Sequence, residues 1–178
     1  MPDQAGSNRL LSRVPVVFWA VTVLVAILDL ITKSLAFRRL PDLESAPIVL
    51  VRGFLQIVHS ENRGGVFGLG QGSAAWLLFA AVAAVAVIWF AHRRDSRPLL
   101  IQLALGLILA GALGNLYDRI AFGYVRDFID VVYWPGRHWP AFNAADSGIC
   151  IGAVCLAIYA LFLAPKPAPK PDKKSGRR

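Results

Sequence analysis

Four apolar runs, each roughly 20 residues long, set the strongest limit on how this chain can fold. They extend from Val14 to Phe37, from Ala74 to Ala91, from about Pro98 to Tyr117 and from about Phe142 to Ala164. A helix of roughly 20 residues is long enough to cross the ~30 Å hydrocarbon core of a bilayer. The chain is also 56% hydrophobic and only 17% charged, which is unusual for a soluble domain. The sequence therefore predicts an all-α polytopic membrane protein with four transmembrane helices.

Basic residues lie mainly at one end of these predicted helices. They occur before the first run (Arg9, Arg13), after the second (Arg93, Arg94, Arg97) and in the C-terminal tail from Lys166 to Arg178. By the positive-inside rule this side is cytoplasmic, so both termini are predicted inside. The formal charge of +8 then indicates contact with anionic lipid and not with nucleic acid. We expect a basic leader (1–13), a membrane domain (14–164) and a disordered basic tail (165–178).

Two outer loops, at about 38–73 and 121–141, connect the predicted helices. The first contains PIVLVRGFLQIV, two β-favouring runs separated by Arg52 and Gly53, which predicts a hairpin. Two strands alone are marginally stable, so the hairpin should lean on the membrane surface or on the second loop. The second loop carries Tyr133, Trp134 and Trp139, residues suited to the headgroup level.

The four-helix topology brings polar residues from distant parts of the chain to the outer ends of the helices. Each group shares one helix face, because its members are three or four positions apart. An inward-facing polar cluster at the outer boundary of the membrane follows, although ion pairs such as Asp29 with Lys33 or Asp118 with Arg119 could also serve only to stabilise the bundle. The residues concerned are Asp29, Lys33, Asn62, Asn115, Asp118, Arg119, Asn143 and Asp146.

Two carboxylates held close together cannot both ionise easily, and they acquire separated pKa values. One can then act as general base on water while the other, protonated, polarises a carbonyl group. The pattern therefore suggests a membrane-embedded aspartic hydrolase. On the residues alone, any pair among Asp118, Asp127, Asp130 and Asp146 would serve.

Three other functions fit parts of the pattern. Intramembrane carboxylates also mark proton relays, so a small proton-coupled transporter is the main alternative, although its acids are expected near the midplane. A non-catalytic lipid-binding or scaffold protein is a second. A metal-dependent hydrolase would need Asp127, Asp130, Asp146 and His138 to cluster, and the sequence lacks a recognisable metal-ligand spacing.

Four segments of this chain resemble the motif blocks of the bacterial lipoprotein signal peptidases, or signal peptidase II. They occur in the order of that family: DLITK (Asp29 to Lys33), NRGGVF (Asn62 to Phe67), GNLYDRIAFGYVRDFID (Gly114 to Asp130) and FNAAD (Phe142 to Asp146). The resemblance covers about residues 14–164. Gly65 and Val66 depart from the small residues, such as Ala, that the family more often has in the second block.

The resemblance implies an aspartic endopeptidase that removes signal peptides from prolipoproteins on the N-terminal side of a diacylglyceryl cysteine. It implies no metal or organic cofactor, a location in the bacterial inner membrane, and a fold of four helices with a small periplasmic β-sheet cradle and a short outer-surface helix or loop. Nothing in the chain demands an oligomer, so we expect a monomer. The implied catalytic residues are Asp127 and Asp146, supported by Asp29, Lys33, Asn62, Gly64, Asn115, Asp118, Arg119 and Asn143.

Overall fold

The structure is a computed structural model that describes residues 16–63 and 98–164, together with residues 83 and 86. Several predicted features lie outside the described residues. These are the basic leader, the basic tail, Gly64 and the second apolar run, apart from Ala83 and Ala86, which are helical.

Three long helices and four strands make up the described part of the chain. The helices are α1 (Val16–Arg39), α2 (Leu99–Phe122) and α3 (Ala144–Ile158), the last extended by a π-helical turn (Tyr159–Leu163). The strands are β1 (Ile48–Val51), β2 (Leu55–Asn62), β3 (Val125–Trp134) and β4 (Arg137–His138). The predicted first, third and fourth spans are confirmed as helices. The count of four helices stays a prediction.

Three helical segments are long and apolar enough to cross a membrane: α1, α2, and α3 together with its π-helical turn (Ala144–Leu163). Only 11–39% of the most apolar window of each helix is buried within the protein, so most of their apolar side chains face outward. Such a surface would be unusual in water, but it suits hydrocarbon. The buried stripe of α1 is in contrast partly polar and includes Thr22, Asp29 and Lys33. The described helices therefore turn most of their apolar side chains outward, whereas α1 turns polar side chains inward.

Small residues allow the helices to approach closely. A methyl group added at Gly106 of α2 would lie 2.8 Å from the carbonyl oxygen of Phe18 in α1. One added at Gly152 of α3 would lie 2.6 Å from the carbonyl oxygen of Ala104 in α2. Glycine is needed at both positions because the backbones are nearly in contact, as is common between membrane helices.

The four strands form one antiparallel sheet in the order β1-β2-β3-β4. A turn at Gly53, whose φ is 72°, joins β1 to β2, and this confirms the predicted hairpin. The register between β2 and β3 pairs Ser60 with Asp127 and Asn62 with Val125. The hairpin therefore leans on the second loop, which is one of the two supports that the sequence predicted. The side of the membrane on which the sheet lies stays a prediction.

Two connections position β3 against the helices. Gly123, with φ 79°, ends α2 and donates its N–H to the carbonyl oxygen of Arg119 at 3.1 Å, and β3 begins two residues later. In the middle of β3, Ile129 and Phe142 exchange backbone hydrogen bonds of 2.8 and 3.0 Å. Since Phe142 directly precedes Asn143, the N-cap of α3, this bridge brings the start of α3 beside β3.

Candidate active site

Asn143 links the two aspartates that the family resemblance nominates. Its side-chain amide donates to Asp127 Oδ1 at 2.6 Å. Its backbone N–H donates to Asp146 Oδ2 at 3.2 Å, and its side-chain oxygen accepts from the backbone N–H of Asp146 at 3.0 Å. The last two bonds form a capping box at the N-terminus of α3, the arrangement that satisfies free N–H groups at a helix start. One residue therefore begins the helix and holds both carboxylates.

Asn115 of α2 supports the same cluster from the opposite side. Its amide nitrogen donates to Asp146 Oδ1 at 2.8 Å. Its oxygen accepts from Lys33 Nζ at 2.9 Å and from the amide of Asn143 at 3.3 Å. The hydrogen-bonding groups of this buried amide are thus used to connect α1, α2 and α3, and its orientation is fixed by the neighbours on either side.

Lys33 and Asp29 form a buried ion pair that confirms the prediction for α1. Lys33 Nζ lies 2.7 Å from Asp29 Oδ2, and both side chains are completely buried. The other oxygen of Asp29 accepts from the backbone N–H of Ala145 at 2.9 Å, which belongs to the first turn of α3. A buried charge is tolerated only when it is paired and hydrogen-bonded. This pair therefore attaches α1 to the helix that carries Asp146.

The predicted pairing of Asp118 with Arg119 needs correction, because two other cations hold Asp118. Arg126 Nη2 and Nε lie 2.7 and 3.1 Å from Asp118 Oδ1, and the backbone N–H of Arg126 donates to Oδ2 at 3.0 Å. Lys33 Nζ lies 3.3 Å from the same Oδ2. Asp118 therefore fixes the start of β3, the strand that carries Asp127.

Arg119, the next residue along α2, lies near the aspartates of the cluster. It is half-buried, and one of its guanidinium nitrogens donates to the carbonyl oxygen of Asn115 at 3.3 Å. The negative charges that act on it most strongly are those of Asp146 and then Asp127, with Asp118 third. Arg119 thus supplies positive charge to the cluster.

Burial and the neighbouring charge of Asp146 raise the pKa of Asp127 from its ordinary value of 3.8 to about 7. Asp127 is only 1% exposed, so water cannot stabilise its ionised form. Hydrogen bonds from Asn62 and Asn143, and the charge of Lys33, act in the opposite direction but are smaller. At neutral pH the Asp127 carboxyl group is therefore poised between its protonated and ionised forms.

Asp130 and His138, two possible metal ligands in the sequence, form a contact of their own. His138 Nδ1 lies 2.7 Å from Asp130 Oδ2, and the amide of Gln56 donates to the same oxygen at 2.6 Å. Across residues 16–63 and 98–164, no group of three or more His, Cys, Asp or Glu side chains is arranged to hold a metal ion. Asp130 ties β2, β3 and β4 together.

Two residues of this framework, Arg126 and Gln56, were not predicted from the sequence. Successive side chains of a strand point to opposite sides, and accordingly Arg126 binds Asp118 whereas Asp127 accepts from Asn143. The partner of Arg126 lies on another element, so no helical spacing reveals it. The available signal was the charge of the segment from Gly114 to Asp130, which carries two arginines, Arg119 and Arg126, near Asp118.

The chain matches known proteins over most of its length. Residues 21–162 match the family model described as signal peptidase (SPase) II. A lipoprotein signal peptidase of Oleidesulfovibrio alaskensis is 42% identical over 151 residues, covering 80% of this chain and 94% of that protein. One from Geobacter sulfurreducens is 42% identical over 147 residues, with 80% and 89% covered.

Two solved structures, both described as a bacterial membrane enzyme, have the same fold. They are 28% and 30% identical to this chain, with TM-scores of 0.71 and 0.72. The first covers 84% of this chain and 93% of its own, and the second 82% and 92%. These matches identify a multi-pass membrane enzyme with a small antiparallel sheet. The chain belongs to the signal peptidase II family, a family of proteases that remove signal peptides from prolipoproteins.

Proposed function

We propose that Asp127 and Asp146 are a catalytic dyad that activates water to cleave the signal peptide of a prolipoprotein. The observation that carries the proposal is the bridging of both carboxylates by Asn143, at 2.6 Å to Asp127 and 3.2 Å to Asp146. Two carboxylates fixed on a common neighbour, with the charge of one raising the pKa of the other, have the properties that aspartic peptidase chemistry requires.

The surroundings of the two aspartates favour different roles for them. Asp127 is the acid, because its pKa near 7 leaves much of it protonated at neutral pH. Asp146 is the base, because N–H groups of Asn115 and Asn143 donate to its carboxylate and Arg119 supplies positive charge nearby.

The reaction then proceeds in two steps. Asp146 takes a proton from water, whose oxygen attacks the scissile carbonyl carbon while Asp127 donates its proton to the carbonyl oxygen. The tetrahedral intermediate collapses when Asp127 recovers that proton and Asp146 transfers its own to the leaving amine. Both carboxyl groups end in the protonation state in which they began.

The remaining site residues position the dyad or the substrate. Asn115 and Asn143 orient the carboxylates, and Asp29, Lys33 and Asp118 fix the elements that carry them, as their hydrogen bonds and ion pairs indicate. Binding of the substrate backbone is assigned to Asn62, Gly64 and Arg119. Asn62 also hydrogen-bonds Asp127.

The proposed substrate is a prolipoprotein whose cysteine carries a diacylglyceryl group, cleaved on the N-terminal side of that cysteine. Its signal peptide would lie in the bilayer beside the helices. Exposed apolar side chains on the sheet and in the β1–β2 turn, among them Leu50, Phe54 and Trp134, would contact acyl chains. We place the enzyme in the bacterial inner membrane as a monomer with both termini cytoplasmic, so that the dyad lies at the periplasmic face.

The decisive experiment is a prolipoprotein processing assay in membranes with Asp127→Asn and Asp146→Asn made separately. Each variant should lose cleavage, since general acid–base catalysis typically contributes about 10²–10⁴-fold for each group. Asp130→Asn is the matched control, because it removes a buried carboxylate from the same strand and should retain cleavage. Near-normal turnover by either dyad variant would refute the assignment.

Two further measurements test the proposed location and the transport alternative. A reporter fused after Arg94 should be cytoplasmic, and a periplasmic reporter would overturn the proposed orientation. Proton flux through reconstituted vesicles that disappeared with Asp146→Asn would favour transport over proteolysis.

A further inference from the structure

The end of β2 carries two charged residues that the proposed reaction does not use. Asn62, the last residue of β2, hydrogen-bonds Asp127. Successive side chains of a strand point to opposite sides, so Glu61 points away from Asp127, and Arg63 contacts it there. The Nη2 atom of Arg63 lies 2.7 Å from Oε2 of Glu61, and this hydrogen bond lowers the pKa of Glu61. Glu61 is therefore an ionised hydrogen-bond acceptor on the reverse side of the strand that presents Asn62.

Tyr124 meets this acceptor from the neighbouring strand. It directly precedes β3, its hydroxyl group hydrogen-bonds Glu61, and the guanidinium carbon of Arg63 lies 5.4 Å from the centre of its ring. The pairing of Asn62 with Val125 makes these residues cross-strand neighbours, the kind of contact that stabilises a sheet. The contact therefore joins the end of β2 to the start of β3, the strand that carries the acid of the proposed dyad.

His59 holds the same side of β2 against the end of α1. Its ring packs on Phe37 with 4.0 Å between centroids, and its Nδ1 atom lies 2.7 Å from the carbonyl oxygen of Leu40. Its Nε2 atom lies 3.7 Å from Oε1 of Glu61, and its side chain is only 6% exposed. The reverse side of β2 is thus attached to α1 through His59 and to β3 through Glu61.

We propose that Glu61 and Tyr124 are positioning residues, whose contact holds Asn62 at hydrogen-bond distance from Asp127. The inference rests on the proposed function, because it assigns these two residues to the acid of the dyad. Strand ends fray when few contacts hold them, and a hydrogen bond weakens steeply as its angle departs from linearity. The ion pair with Arg63 adds little, since Arg63 is 68% exposed and exposed pairs are weak. The hydroxyl group of Tyr124 therefore supplies the contact on which the position of Asn62 depends.

Substitution of Tyr124 by phenylalanine isolates this effect, because it removes a hydroxyl group and no charge. The hydrogen bond from Asn62 lowers the pKa of Asp127, so a looser Asn62 should raise that pKa, by up to about one pH unit for the loss of a whole hydrogen bond. Burial raises the pKa of Tyr124 from its ordinary value of 10.0, so its own titration lies outside this range. The charged groups around Asp127 stay in place: Asp146 of α3, Lys33 of α1, Arg119 of α2, and Arg126 of β3, which is bound to Asp118.

The first test measures the pKa of Asp127 without turnover. The free energies of unfolding of wild type and Asp127→Asn, compared across pH in micelles, give that pKa by linkage, and a general loss of stability cancels in the comparison. The pKa should rise in Tyr124→Phe and in Glu61→Ala, and by less in Glu61→Gln, which keeps an acceptor for the tyrosine hydroxyl. Glu44→Gln removes an exposed carboxylate and should leave the pKa unchanged. In an Asn62→Ala background Tyr124→Phe should have no further effect, because the group that it positions is already absent.

The second test measures kcat/KM for prolipoprotein cleavage against pH. Its alkaline limb should move upward in Tyr124→Phe by the same amount as the pKa of Asp127. A pKa of Asp127 that Tyr124→Phe leaves unchanged would overturn the proposal, as would an equal rise with and without Asn62. A raised pKa with an unmoved alkaline limb would instead support the positioning role and contradict the assignment of Asp127 as the acid, so the two proposals fail separately.

Discussion

Replacement of Asp127 by asparagine should change how the stability of the folded protein depends on pH. The pKa of Asp127 is about 7 in the folded chain and 3.8 ordinarily, so between these values the folded state holds a proton that the unfolded state has released. The contribution of the Asp127 carboxyl group to folding stability is therefore fully present below about pH 4 and is lost as the pH rises through about 7. At about 1.4 kcal/mol per pH unit, the loss amounts to about 4 kcal/mol.

The assay compares wild type with Asp127→Asn, which cannot titrate. The free energy of unfolding would be measured in mixed detergent–SDS micelles at pH values from about 4 to about 8. The free energy of unfolding of the asparagine variant, relative to that of wild type, should rise by about 4 kcal/mol from the acidic to the alkaline end of that range. Glu44→Gln is the control for removal of an exposed carboxylate and should not reproduce the gain.

A second background separates the two causes of the raised pKa. Burial is the larger cause and the charge of Asp146 is the next. In an Asp146→Asn background the gain on replacing Asp127 should be smaller, because only burial remains. A stability difference between wild type and Asp127→Asn that did not vary with pH would refute the reasoning, as would a gain that Asp146→Asn left unchanged.

Three further predictions follow from the same contacts. Asn62→Ala removes a hydrogen bond that lowers the pKa of Asp127, so the alkaline limb of the cleavage rate against pH should move upward; a downward movement would contradict this. Lys33→Met leaves Asp29 as a buried unpaired charge and should destabilise the protein by about 3–5 kcal/mol in micelle unfolding, with partial recovery in the Asp29→Asn double variant. Gly114→Ala places a methyl group against the Asp29 carboxylate and should lower both stability and processing, whereas retained activity would show that Asp29 can shift.

The parts of the fold that were predictable depend on local chemistry. Apolar length predicted α1, α2 and α3. The β-favouring runs around Gly53 predicted the β1–β2 hairpin, and the marginal stability of two strands correctly predicted that it needs a partner. Helical spacing within each span correctly placed Asp29 beside Lys33 and Asn143 beside Asp146.

The contacts that were not predictable join separate elements. Asp118 binds Arg126 across the turn that follows α2, and helical spacing could propose only Arg119, its neighbour in sequence. Similarly, the choice between Asp127 and Asp130 depends on a strand register that is set by the Ile129–Phe142 bridge. A shift of one residue in that register would turn the other face of β3 toward α3.

The Ile129–Phe142 bridge and the capping box together explain how the proposed dyad is held at the start of a helix. Residues at the start of a helix have free N–H groups that must find acceptors, and here Asp146 and Asn143 satisfy each other. The same Asn143 donates to Asp127, so the relative position of the two carboxylates is fixed by interactions that α3 needs in order to begin. A change at Asn143 therefore both loosens the dyad and removes the cap of α3, so catalytic geometry and local folding stability are coupled at this one residue.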